Sequence, residues 1–110
     1  MKNVKYFWKG NLIRTSHREY THAVVAQLKE GGKPNVLACC GRYDLAVKAY
    51  NFEKGKLEDT LRRYIGYRNG TIRKDDYMAT VTNEELDKWI EGKKKAIAAI
   101  QIVELTKGEN

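Results

Sequence analysis

Between Cys40 and Asp44 the apolar residues of this chain change their period, and that change fixes what it can fold into. Before it, bulky and β-branched residues sit in short runs separated by turn residues. After it, Leu45, Ala49 and Phe52 fall at i, i+4, i+7, and Leu57, Leu61, Tyr64 and Ile65 repeat the spacing. Strand pairs followed by helices in a chain of 110 residues make an α+β fold within one domain, residues 1–110. That length can bury a core without disulfides or metal.

The first part reads as four strands. Val4–Lys9 carries Tyr6, Phe7 and Trp8, and Lys9-Gly10-Asn11-Leu12 is a turn signal. Leu12–Ser16 returns. Tyr20–Leu28 has apolar residues on both faces and ends at Gly31-Gly32-Lys33-Pro34, and Val36–Cys40 follows. The short turns predict an antiparallel meander or a pair of hairpins. A helix follows from about Asp44, with Gly55 as a weak point, so residues 44–65 form one helix or two. Gly66 is expected to end it. Tyr67–Arg73 contains Asn69-Gly70, a hairpin signal, and Tyr77–Val81 reads as a further strand. Thr82-Asn83-Glu84-Glu85 is a capping box opening a second helix with Leu86, Trp89, Ile90 and Ile97 as its apolar face. Ala99–Thr106 fits either a helical continuation or a strand. Its β-branched residues favour the strand, and Lys107–Asn110 reads as a frayed tail. The fold class is therefore α+β, a mainly antiparallel sheet packed with two helices.

No apolar stretch follows the first residues, and the longest nearly apolar run, Ala96–Val103, is far short of the ~20 residues a membrane helix needs. The reading is a soluble, intracellular protein with no membrane partner. The net charge of +7 is uneven: residues 1–55 hold ten Lys/Arg against four Asp/Glu, and residues 56–110 hold eleven against ten. Such a balance fits a polyanionic or phosphate-bearing partner, or serves solubility alone.

The two cysteines, Cys39 and Cys40, are adjacent. On a strand they point to opposite faces, and zinc sites use wider spacings, so a set of His17, His22, Cys39 and Cys40 is a poor metal site. Cys40, before Gly41, Arg42 and a helix start, is the best nucleophile available, but nothing places a histidine beside it. Two small buried hydrophobes at a strand end is the simpler reading. Arg42 at the helix start is a weak phosphate motif.

The segment Leu61–Lys74 is more informative. Between Thr60 and Lys74 it carries Arg62, Arg63, Arg68, Arg73 and Lys74 with no acid, interleaved with Tyr64 and Tyr67. Guanidinium groups grip phosphate bidentately and tyrosine rings stack on bases. Arg68 and Arg73 would flank the Asn-Gly turn and approach each other across it. Against this, Tyr64 continues the apolar helix face, and Glu58 and Asp59 can pair with Arg62 and Arg63. Asn83 at the second helix start is a lesser anion site, and Lys93-Lys94-Lys95 reads as a solvated face. The candidate ligand or phosphate-binding residues are thus Arg42, Arg62, Arg63, Tyr67, Arg68, Arg73 and Asn83. No catalytic residue, metal ligand or cofactor is assigned, and a non-enzyme is expected.

A short basic chain with YTHAVV, then VLACCGRYDLAVKAY, then a long basic helix resembles small bacteriophage anti-defence proteins, in particular the anti-Thoeris sponge family. The resemblance spans Tyr20–Ile65 and rests on layout. It implies a homo-oligomer in the cytoplasm of an infected bacterium that holds cyclic ADP-ribose or cyclic oligonucleotide signals without cleaving them. It assigns no binding residues. Anti-CRISPR proteins share the size, so the alternative is a basic protein acting on nucleic acid or a ribonucleoprotein.

Overall fold

The computed structural model describes residues 2–108. The order is β1 (Val4–Trp8), β2 (Asn11–Ser16), β3 (His22–Ala26), β4 (Asn35–Cys40), α1 (Tyr43–Asn69), α2 (Asn83–Ala99), β5 (Ile100–Glu104) and β6 (Thr106–Lys107). The chain divides into two compact units, Met1–Glu53 with Ala99–Asn110, and Lys54–Ala98. The fold is α+β, with two helices and two three-stranded antiparallel sheets.

The first unit is built on a pair of hairpins. Lys9 and Gly10 both take positive φ, 47° and 77°, the geometry of a two-residue turn whose twist matches its strands. The sheets have the orders β2-β1-β6 and β4-β3-β5. The last strand serves both: β5 pairs with β3, and two residues later β6 pairs with β1, Tyr6 against Lys107. Residues 99–106 are therefore strand after Ala99, and Lys107 is paired rather than frayed; residues 109 and 110 of the expected tail lie outside the described residues. The core cluster of Ile13, Ala23, Val25 and Val103, with Trp8, Val36, Cys39 and Leu105 against it, draws on both sheets. Two register shifts shape it. One leaves Ile13 unmatched opposite Tyr6/Phe7, and the other leaves Leu37 unmatched opposite Val24/Val25. A bulge resets the alternation. So Val36 and Cys39, three apart, both pack on the core through their partners Val25 and Ala23. Tyr6 is buried, and its hydroxyl donates to the Arg18 carbonyl at 2.8 Å, satisfying the one polar atom it takes inside.

The second unit departs from the sequence reading in two places. Gly66 does not end α1; it lies inside it. The chain turns back after the helix and Ile72 packs on Gly66, where any side chain would overlap it, while the Ile72 amide donates to the Gly66 carbonyl at 3.1 Å. The helix stops instead at Asn69-Gly70. Gly70 adopts φ of 83°, and the Asn69 side chain accepts from the Thr71 amide at 3.1 Å. Asn-Gly favours positive φ, which serves a helix C-terminus as readily as a hairpin. No hairpin forms over 67–73. The expected strand at Tyr77–Val81 is a run of turns, begun where the Asp75 carboxylate accepts from the Met78 amide at 2.9 Å. Met78 is buried and Tyr77 is exposed.

The Thr82 half of the expected capping box of α2 is present: the Glu85 amide donates to Thr82 Oγ1 at 3.2 Å. Leu86 is fully buried, and Ile90 and Ile97 are half-buried. Among the described residues no helix is long and apolar enough to cross a membrane.

Candidate functional site: an aromatic groove in the helical unit

The site lies between side chains of α1 and α2 within the second unit. On α2, Trp89, Gly92, Lys93 and Ala96 are spaced i, i+3, i+4, i+7 and so share one face. A helix face of that spacing ordinarily carries large apolar residues that fill the space against its neighbour. Here two of the four positions are Gly and Ala and a third is Lys. The face is consequently hollow. With Tyr64 of α1 it encloses an open groove of about 320 Å³. Tyr64 and Trp89 are in ring contact, centroids 5.4 Å apart at 50°. Trp89 remains 37% exposed, so part of it stays open to solvent. A Cβ added at Gly92 would meet no heavy atom within 4 Å, so open space lies over this position.

The groove holds one cation. Lys93 is half-buried, its stem along the apolar wall and its ammonium available to an anion. The other positive groups of this unit are placed differently from the sequence reading. Arg62 is ion-paired with Asp59, one helical turn before it. Arg63 donates to Thr60 Oγ1 at 3.4 Å. Arg68 lies in the last turn of α1, where its Nε meets Asp87 Oδ1 at 2.8 Å. It does not face Arg73 across a hairpin, because that hairpin is absent. Lys74 donates to the Val81 carbonyl at 3.0 Å. Arg73 is exposed and forms no ion pair among the described residues. Tyr67 is half-buried on α1, and Asn83 is the exposed first residue of α2. Arg42 belongs to the first unit, where it is exposed and its Nε lies 3.3 Å from Asp44 Oδ1.

None of the seven residues selected from sequence lines the groove. The sequence alone places its lining residues elsewhere: Tyr64 and Trp89 in packing, Lys93 on a solvated face. The signal was present as Gly and Lys interrupting the Trp89–Ala96 stripe.

The cysteines offer no second site. Burial pushes the Cys39 thiol above its ordinary value, against an opposing hydrogen bond and charge from Arg14. Burial likewise raises Cys40, with neighbouring Cys39 adding to it. A raised thiol pKa means little thiolate at neutral pH and a weak nucleophile. His22 packs edge-on against Tyr43 at 5.3 Å, and its Nδ1 shares a hydrogen with Thr21 Oγ1 at 2.8 Å.

No protein-family model, curated protein or solved structure matches this chain.

Proposed function

We propose that this chain is a non-enzymatic binding protein that sequesters a nucleotide-derived signal, of the cyclic ADP-ribose or cyclic oligonucleotide type, and holds it intact. The observation that carries the reading is the groove: an exposed tryptophan face, a second aromatic ring and one ammonium around a hollow of about 320 Å³. Aromatic rings stack on nucleobases whatever their sequence, and an ammonium beside them takes phosphate. The groove supplies both in adjacent positions. The setting that fits such a binder is anti-defence in an infected bacterial cell, the one the resemblance implies. Leu45 and Phe52, exposed two turns apart on one face of α1, favour association of copies.

The test is calorimetry with cyclic ADP-ribose and with cyclic di- and trinucleotides, followed by denaturation and mass spectrometry of the released ligand. Saturable binding with ligand recovered at unchanged mass is expected. A cleaved product overturns the sequestering reading. Native mass spectrometry of the same sample reads the subunit number.

A second reading has its own support. Lys94 and Lys95 are exposed beside Lys93 and form no ion pair among the described residues. With a net charge of +7 they fit backbone contacts to DNA or RNA. That reading requires affinity to fall steeply with salt. A gel shift that is absent at low salt removes it.

A further inference from the structure

Resting on the nucleotide reading above, we infer that the groove is measured for one nucleotide unit, a single purine and a single phosphate, and that a larger ligand is held by one of its units. Three features of the lining carry this.

The first is the arrangement of the rings. A base can slip between two aromatic side chains only if they stand parallel and apart. Tyr64 and Trp89 touch each other, 5.4 Å between centroids and tilted by 50°, a distance within the range of direct ring contact. No base enters between them. One base stacks on the exposed part of Trp89, whose ring is held by its contact with Tyr64. A purine covers more of that face than a pyrimidine and gains more from stacking.

The second is charge. Lys93 is the one cationic side chain in the lining. Lys94 and Lys95, its neighbours in sequence, are exposed and lie outside the lining, and three other cations of this unit are committed: Arg62 to Asp59, Arg68 to Asp87 and Lys74 to a backbone carbonyl. One ammonium neutralises one phosphate. A second phosphate in the same groove would lie uncompensated.

The third is room. About 320 Å³ lies at the small end of the roughly 300–1,000 Å³ spanned by small-molecule sites. Gly92 and Ala96, with almost no side chain, leave a shelf along α2 beside Trp89 and Lys93. A sugar can lie on it and join the base to the phosphate.

The experiment uses the full chain and isothermal titration with adenosine, adenosine and guanosine 5′-monophosphates, ribose 5-phosphate, inorganic phosphate and a cyclic di-adenosine nucleotide. Each purine monophosphate is expected to bind at least about 10-fold more tightly than ribose 5-phosphate, given the strength of base stacking, and at least about 10-fold more tightly than adenosine, given the charge-assisted contact of its phosphate with Lys93. The cyclic dinucleotide is expected within about threefold of the monophosphate, since it presents two equivalent units to one groove. Lys93→Gln should bring monophosphate affinity down to the adenosine level. Trp89→Leu should weaken both, with circular dichroism verifying the fold of each variant. Binding of the cyclic dinucleotide without the monophosphates overturns the one-unit inference and leaves the sequestering reading standing. Equal binding of ribose 5-phosphate and the monophosphates shows that no base is stacked and overturns it also. If no nucleotide binds, both readings fall.

Discussion

Gly92 offers a substitution in which stability and binding should move in opposite directions. It sits in the interior of α2, ten residues into a helix of 17. Glycine there is less favourable than alanine by about 1 kcal/mol, because the unfolded chain has more freedom to lose. No heavy atom lies within 4 Å of where its Cβ would be. Gly92→Ala should therefore realise the whole gain, with no steric cost to offset it. Each kcal/mol raises Tm by roughly 4–8 °C in a domain of 60–100 residues, so a rise of several degrees is expected by scanning calorimetry. Gly92→Leu keeps most of that gain, since leucine is close to alanine in helix propensity. Its side chain, however, enters the groove and covers the Trp89 face. Loss of the stack is worth about 1–3 kcal/mol, or roughly 5- to 150-fold in Kd for a purine monophosphate. The two measurements together separate a damaged fold from a filled site. A lower Tm for Gly92→Leu would mean that the space over Gly92 is already occupied. Unchanged nucleotide affinity in a stable Gly92→Leu variant would mean that the groove is not where the ligand sits. Either result refutes the reasoning.

Two further outcomes bear on the frame that holds the site. Thr82→Ala removes the side-chain acceptor for the Glu85 amide and should cost about 1 kcal/mol, read as a lower urea midpoint. Thr82→Ser should restore most of it. The cysteines carry a pH dependence with a defined sign. In the unfolded chain their thiols ionise near the ordinary value of about 8.5, whereas burial raises both in the folded state. Above that pH the folded state binds more protons than the unfolded one, so stability should fall as pH rises from 8 to 10. Other groups titrate in this range, so the quantity to compare is the slope of the urea midpoint with pH in the natural chain and in a Cys39→Ala/Cys40→Ala variant. The variant should fall less steeply. Equal slopes would mean the thiols are as exposed folded as unfolded.

The strands and helices differ in how far they were legible. The first four strands, the cap at Thr82 and the strand after Ala99 were readable because each rests on residues close in sequence: alternation, a two-residue turn at Lys9-Gly10, a hydroxyl three residues before the amide it accepts from. Gly66 and Asn69-Gly70 were misplaced because their meaning is tertiary. A glycine inside a helix is unfavourable until something packs on it, and here Ile72 does. Asn-Gly announces positive φ but not what precedes it, and only the longer helix decides between a C-terminus and a hairpin. The division of two three-stranded sheets over one segment, residues 100–107, was equally out of reach, since the switch occurs at Leu105, whose amide bonds to the Thr21 carbonyl at 2.9 Å.

The site was harder because its charges pair partly across elements. Asp59, a partner already weighed for Arg62 and Arg63 in the sequence, holds Arg62, but the partner of Arg68 is Asp87, on another helix and beyond the reach of a local count. These pairs are exposed and contribute little to stability, about 0–1 kcal/mol each. Their consequence is positional: a guanidinium held by a carboxylate must give up that partner before it can take a phosphate, so its net attraction for a ligand is reduced. Lys93 has the opposite history. In sequence it is the first of three lysines on what reads as a solvated face, but the helical period sets it between Trp89 and Ala96, on the hollow stripe, while Lys94 and Lys95 turn outward. A single ammonium beside an apolar wall is worth more to a bound anion than several paired guanidiniums in open water, because the wall lowers the local dielectric and excludes competing solvent.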